Sequence, residues 1–207
     1  MTVQQPQTRI QKRNRDLIQD AALGVFSEHG FRGATLDQIA SAAGLSKPNV
    51  LYYFASKDEI YTQLLSGLLE TWLDPLRAID PEGDPVEEIL GYVRRKLEMS
   101  RDLPRESRLF ANEIVQGAPR IIDQIEGPLK DLVDATAALF ERWIAEGRLA
   151  PIHPHHLIFS IWATTQHYAD FNAQVIGILQ GACETHFNDA SDFLDTLYRR
   201  TLTPVPT

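Results

Sequence analysis

The chain has 207 residues, 43% hydrophobic and 23% charged, the balance of a globular protein and not of a disordered one. No apolar run is long enough to span a bilayer, the polar stretch Met1 to Gln11 lacks the apolar segment of a secretory signal, and the single cysteine, Cys183, has no internal disulfide partner. A soluble, cytoplasmic chain is expected. Its net charge of −8 is unevenly spread: residues 1–57 hold seven Lys and Arg against four acids, whereas residues 58–207 hold 13 against 24. A basic head on an acidic body suits a head that meets a polyanion.

Helical periodicity runs almost throughout. Leu17, Ile18, Ala21, Ala22, Val25 and Phe26 share a face of a first helix over 15–29, with Gly30 as its stop. Thr35 precedes a short helix that Gly44 closes, and Ser46 opens a third over 47–54, with Pro48 in its first turn, where a missing N–H is harmless. Ser56 with Glu59 forms a capping-box signature for a fourth helix running through Trp72, and Pro75 with the stretch Asp80 to Pro85 marks its end. Further helices are predicted at about 86–101, 105–117, 120–147, 153–179 and 189–201, separated by Pro104, Pro119, Gly147 with Pro151, and Gly181. No segment alternates with period two for long enough to read as a strand. The expectation is an all-α fold of about nine helices, divided into a DNA-binding domain at 1–57 and an effector-binding and dimerisation domain at 58–207.

The second and third helices are joined by Gly44-Leu45-Ser46, the length of turn that sets two helices at a steep angle. Leu45 completes a small core with Ile39, Ala40, Val50 and Phe54, which leaves Lys47, Asn49, Tyr52 and Tyr53 as polar tips on the third helix. Lys and Asn suit base edges in a major groove, hydroxyls suit phosphates, and Lys57 at the start of the next helix is placed to grip the backbone. The same pattern also describes the solvated face of an ordinary three-helix corner.

The run "DAALGVFSEHGFRGATLDQIASAAGLSKPNVLYYFASKDEI", Asp20 to Ile60, resembles the N-terminal domain of TetR-type repressors. Carried over by position, the resemblance implies DNA contacts from Thr35, Ser46, Lys47, Pro48, Asn49, Tyr52, Tyr53 and Lys57. Leu51 departs from the pattern, standing where that family usually has a phosphate-contacting tyrosine. Arg9, Lys12 and Arg13 are read as a flexible arm able to add phosphate or minor-groove contacts, or else as a frayed terminus. The resemblance further implies a homodimer on a palindromic double-stranded DNA operator and a small-molecule effector pocket in the body.

"WLDPL", "KLEMSRDLPRESRLFANEI", "APRIID" and "LAPIHPHHLIFSIWATTQHYADF" are similar to the pyrimidine-utilisation regulators within that family, which respond to uracil and, less well, thymine. Uracil is flat and offers alternating carbonyl and N–H groups, so its site wants aromatic faces and a side chain that both donates and accepts. Trp162 and Gln166 are four apart and share a helix face. From periodicity alone these aromatics read as core; the resemblance implies an effector site of Trp72, Phe110, Trp162 and Gln166, with Tyr168 and Asn112 ranked below them. The alternative is a TetR-type regulator with another effector, an aromatic acid or a drug-like compound, against which polar Gln166 argues mildly where the ligand is lipophilic.

Enzymatic chemistry finds no support. There is no Gly-rich phosphate loop, no Gly-x-Ser-x-Gly elbow and no His-Glu-x-x-His. The tract His153, His155 and His156 reads as a helix start with His153 or Pro154 near the cap, not as a metal site, since no Cys or Glu cluster accompanies it. Neither a cofactor nor a metal is expected. The dimer is predicted from the last two long helices, with Leu157, Phe159, Phe187, Phe193 and Leu197 contributing.

Overall fold

The computed structural model describes residues 9–180 and 185–204. Cys183 lies outside them. The described residues are all-helical, without a strand, and none of their helices is long and apolar enough to cross a membrane. The helices are α1 Arg9–Gly33, α2 Leu36–Ala42, α3 Lys47–Tyr53, α4 Lys57–Arg77, α5 Pro85–Asp102 and α6 Pro104–Val115. They are followed by α7 Ile122–Gln124, a π-helical turn Ile125–Leu129, α8 Lys130–Ala145, α9 Pro154–Asp170, α10 Asn172–Leu179 and α11 His186–Leu202. The chain forms two compact units, one of residues 1–68 and 109–121, the other of residues 69–108 and 122–207. The boundary falls inside α4 and inside α6, so both helices begin in one unit and end in the other.

The first unit is built on apolar positions one helical turn apart. Ile18, Ala22 and Phe26 of α1, Ile39 and Ala40 of α2, Val50 of α3, Phe54, and Ile60, Tyr61 and Leu65 of α4 are all buried. Phe26 meets Tyr61 edge-on with ring centroids 4.8 Å apart, and Phe31 lies 4.9 Å from the same ring. Gly30 does interrupt α1, at φ 65, but one further turn forms beyond it and carries the helix to Gly33.

The second unit packs α5 against α9 and α11, and α9 against α8. Its core gathers Ile89, Leu90, Tyr92, Val93 and Leu97 of α5, Phe140 and Trp143 of α8, Leu157, Ile158 and Ile161 of α9, and Leu194 and Tyr198 of α11. The Trp143 indole N–H donates to the Pro81 carbonyl at 3.2 Å, holding the α4–α5 linker. Ala150 N–H donates to the Leu202 carbonyl at 2.9 Å, tying the end of α11 to the loop before α9.

The structure departs from the sequence expectation at four places. Pro75 does not end α4, which continues to Arg77: so near the terminus its ring forfeits one bond, to the Thr71 carbonyl. The stretch 120–147 is not one helix, because Pro128 cannot donate to the Gln124 carbonyl and the chain widens into the π-helical turn before α8. The stretch 153–179 breaks at Phe171 (φ −110, ψ 27), between Asp170 and Asn172, two residue types of low helix propensity. Arg9, Lys12 and Arg13 are not a flexible arm but exposed positions on α1 itself.

Candidate DNA-reading face and effector site

The turn between α2 and α3 follows the chemistry of its residues. Thr35 Oγ1 accepts from Gln38 N–H at 3.2 Å while the Gln38 side chain accepts from Thr35 N–H at 2.8 Å, a complete capping box. Gly44 takes φ 65, and Leu45 N–H returns to the Ala40 carbonyl at 2.9 Å. Ser46 Oγ then caps α3 by accepting from Asn49 N–H at 3.4 Å.

On α3 only Val50 is buried; Lys47, Pro48, Asn49, Leu51 and Tyr52 are exposed, with Tyr52 at 71% and Leu51 at 42%. The structure therefore brings Ser46, Lys47, Pro48, Asn49 and Tyr52 onto one accessible surface, with Thr35 exposed at the start of α2. Lys47 is paired with Asp37 at 2.9 Å, both groups in solvent, so exchanging that partner for a phosphate is inexpensive.

Tyr53 and Lys57 have internal partners. The Tyr53 hydroxyl accepts from the Asn14 amide at 2.9 Å, and its backbone carbonyl accepts from Arg15 at 2.7 Å. Lys57 Nζ donates to the carbonyls of Phe31 at 2.7 Å and Ala34 at 2.6 Å, and lies 4.4 Å over the Phe31 ring. These are orphan carbonyls at the end of α1, so Lys57 closes that helix as well as opening α4. Ser56 Oγ caps α4 as expected by accepting from Glu59 N–H at 3.1 Å, while the Glu59 carboxylate accepts from Ala55 N–H at 2.7 Å, one residue before the expected position.

The first unit also contains a clamp that sequence reasoning missed. Glu113, fully buried, accepts from Arg120 N–H at 2.8 Å and from its guanidinium at 3.2 Å. Arg120 also donates to Asp58 at 2.9 Å and lies 3.7 Å over Phe31. Burial, with Glu113 alongside, pushes the Tyr61 hydroxyl up to about 12. The turn that makes this possible holds Gly117 at φ 88 and Ala118 at φ 53.

In the second unit, Trp72 is buried on α4, and Trp162 and Gln166 are half-buried one turn apart on α9. The Trp162 indole N–H donates to the Tyr92 hydroxyl at 2.7 Å. Lys96, one turn beyond Tyr92 on α5, is buried with its ammonium 5.0 Å from the Trp72 ring centre. Ser107 Oγ donates to Asp170, one turn beyond Gln166, at 2.5 Å. Burial lowers Lys96 to about 8, against the opposing field of Asp170, and burial raises Asp170 above the usual carboxylate range. Phe110 and Asn112 fall in the first unit, and Tyr168 is half-buried against the α9 core. Two cavities of this unit are one of about 160 Å³ beside Ile79 and Tyr92 and one of about 440 Å³ between Leu76 and Leu139.

Sequence reasoning passed over Lys96, although a signal was present. Ile89, Tyr92, Val93 and Met99 define the buried face of α5, and position 96 belongs to it. The histidine tract opens α9 with His153 at the cap position and Pro154 in the first turn, and His155 pairs with Asp134 at 3.0 Å.

Comparison with known proteins agrees with this architecture. Residues 18–64 match the family "Bacterial regulatory proteins, tetR family", and residues 65–205 match "YcdC-like protein, C-terminal region". The chain is 52% identical over 158 residues to the HTH-type transcriptional regulator RutR of Escherichia coli K12, covering 76% of this chain and 74% of that one. It is 32% identical over 90 residues to the HTH-type transcriptional repressor KstR2 of Mycobacterium tuberculosis, covering 43% and 44% of the two chains. Among solved structures, the ketosteroid regulator KstR2 of that organism superposes with a TM-score of 0.72 at 22% identity, over 97% and 98% of the chains. A TetR-like regulator from Rhodococcus sp. RHA1 gives 0.68 at 22% identity, over 95% and 97%. These likenesses to solved structures show the fold, and its relatives are regulators and not enzymes. With a helix-turn-helix presenting polar side chains from α3 and both parts of the chain matched, the protein belongs to the TetR family of DNA-binding transcriptional regulators.

Proposed function

We propose that the protein is a homodimeric repressor that binds a palindromic operator and releases it on binding uracil or a related pyrimidine. The observation that carries the DNA half is the exposed polar surface of α3, held by a capped turn on a buried apolar core. Two such helices entering successive major grooves stand about 34–36 Å apart. In this reading residues 1–57 bind DNA, residues 58–207 bind effector and partner, and the protein works in the cytoplasm beside the DNA it reads.

The dimer reading rests on apolar side chains left in solvent: Phe159 of α9 is 47% exposed, and Phe193 and Leu197 of α11 are 59% and 39% exposed. Leu157 belongs to the core of its own chain instead, and Phe187 is half-buried. Four helices, α9 and α11 from each subunit, can cover this face as a bundle.

The effector reading rests on the resemblance to pyrimidine-responsive regulators and on Trp72, Trp162 and Gln166 belonging to one unit; Phe110 enters it by resemblance alone. Trp72 lies on α4, the same unbroken helix that starts at Lys57, so a displacement at the indole is carried toward α3. Effector and operator then oppose each other reciprocally, typically by about 5–150-fold. Calorimetric titration of the purified protein with uracil, with thymine and cytosine as controls, tests this. Saturable binding of uracil that is lost in Trp162→Ala supports the reading, and silence toward uracil in protein that still shifts operator DNA ends it. The second reading is a different effector such as an aromatic acid, and benzoate in the same titration separates the two.

A further inference from the structure

Lys96 is a cation on the core face of an amphipathic helix, 4% exposed, yet among the described residues no hydrogen bond or ion pair engages its ammonium. A buried charge left this way is expensive, and such groups concentrate where a ligand completes the site. The Trp72 ring offers it a π-face at 5.0 Å, which steadies the charge without using its three donors. Asp170 lies near enough to act as a counter-charge, but one of its oxygens is already taken by Ser107.

The neighbouring helix supplies the complementary half. Trp162, Gln166 and Asp170 follow one another at single-turn intervals on α9, and Tyr92 and Lys96 do the same on α5, against which α9 packs. Trp162 is joined to Tyr92, and Asp170 faces the field of Lys96, so Gln166 stands in register between them. No hydrogen bond engages the Gln166 carboxamide among the described residues. This stretch of the seam therefore holds a cationic donor and an amide that both donates and accepts, flanked by indole rings.

Resting on the pyrimidine reading above, we propose that Lys96 is the specificity-determining residue of the effector site. Its ammonium donates to the 4-carbonyl oxygen of a neutral pyrimidinedione, whose adjacent N–H and second carbonyl pair with Gln166. The ligand is neutral because Asp170 already supplies the counter-charge, and an incoming carboxylate would be repelled by it. Cytosine is excluded because it sets an amino donor against the ammonium donor. Thymine keeps the accepted edge and adds only a methyl group.

The test is calorimetric titration of full-length wild type, Lys96→Met and Lys96→Gln with uracil and with cytosine, each variant first shown to melt cooperatively. Lys96→Met is expected to lose about 10–100-fold in uracil affinity, the size of one charge-assisted hydrogen bond. Lys96→Gln, which can both donate and accept, is expected to narrow the preference for uracil over cytosine. Undiminished uracil affinity in a folded Lys96→Met, or an unchanged preference in Lys96→Gln, overturns the assignment. Should Lys96→Met fail to fold, the preference of Lys96→Gln decides alone. Wild type that ignores uracil overturns the pyrimidine reading itself and the role of Lys96 with it, whereas uracil binding that is insensitive to both variants removes only Lys96.

Discussion

Lys47 and Lys57 stand ten positions apart and the structure uses them differently. Among the described residues Lys47 is held only by an exposed pair with Asp37, so its charge is available to a polyanion. Lys47→Ala is expected to weaken operator binding for all sequences alike and to lower the slope of log affinity against log salt by about one, read from gel shifts over a salt series. Lys57 spends two N–H groups on the carbonyls that end α1. Lys57→Ala is therefore expected to destabilise the protein by about 1–3 kcal/mol in urea unfolding, with the salt slope unchanged. Lys96 adds a pH dependence. Its folded-state value of about 8 lies below the ordinary 10.5, so between these values the unfolded chain binds more protons and stability rises with pH. Below about 8 the full penalty is present, roughly 3 kcal/mol from the size of the shift. Lys96→Met is then expected to melt above wild type at pH 7, with the gap closing as pH rises through this window, as thermal melts across pH would show.

At the scale of elements, α4 and α6 are the two helices that belong to both units. The end of α6 is secured in the first unit by Glu113 and Arg120, which together satisfy a buried carboxylate, a turn N–H and a guanidinium resting on Phe31. Glu113→Ala strands the arginine's inner face and leaves the Arg120 N–H without its acceptor. A loss of about 3–5 kcal/mol in urea unfolding is expected, as for a buried pair deprived of one partner. A loss below 1 kcal/mol would mean that Arg120 is held by Asp58 and Phe31 alone. Glu113 and Arg120 are seven residues apart across a turn with two left-handed residues, and their meeting is made by that turn and not by any helical repeat a sequence displays.

For the whole molecule, the proposed dimer rests on the exposed Phe159 and Phe193. The pair Phe159→Asp with Phe193→Asp is expected to sediment as a monomer and to bind the full operator no more tightly than a half-site, because the two heads would then be independent. A dimer that persists in this variant would place the interface elsewhere.

Local chemistry determined much of this protein before any coordinates. The all-helical class follows from apolar spacing, and the caps at Thr35 and Ser46 and the turn at Gly44 follow from side chains that act within three residues of themselves. The match running from Asp20 to Ile60 carried the family, since its motif residues are close in the chain. What the tertiary structure alone decided is of longer range. By sequence Pro75 marks a helix end and Pro128 lies inside an unbroken predicted helix, yet the first sits harmlessly in a final turn and the second opens a π-helical turn, because the outcome depends on which carbonyl is forfeited. Leu157 and Phe159 are both apolar residues of α9, and only packing tells the core residue from the exposed one. Lys57 and Lys96 could be read as surface cations because charge is visible in a sequence whereas burial is not. Whether an ammonium meets water, a helix end or an indole is settled by chain segments many residues away, and that meeting sets its chemistry.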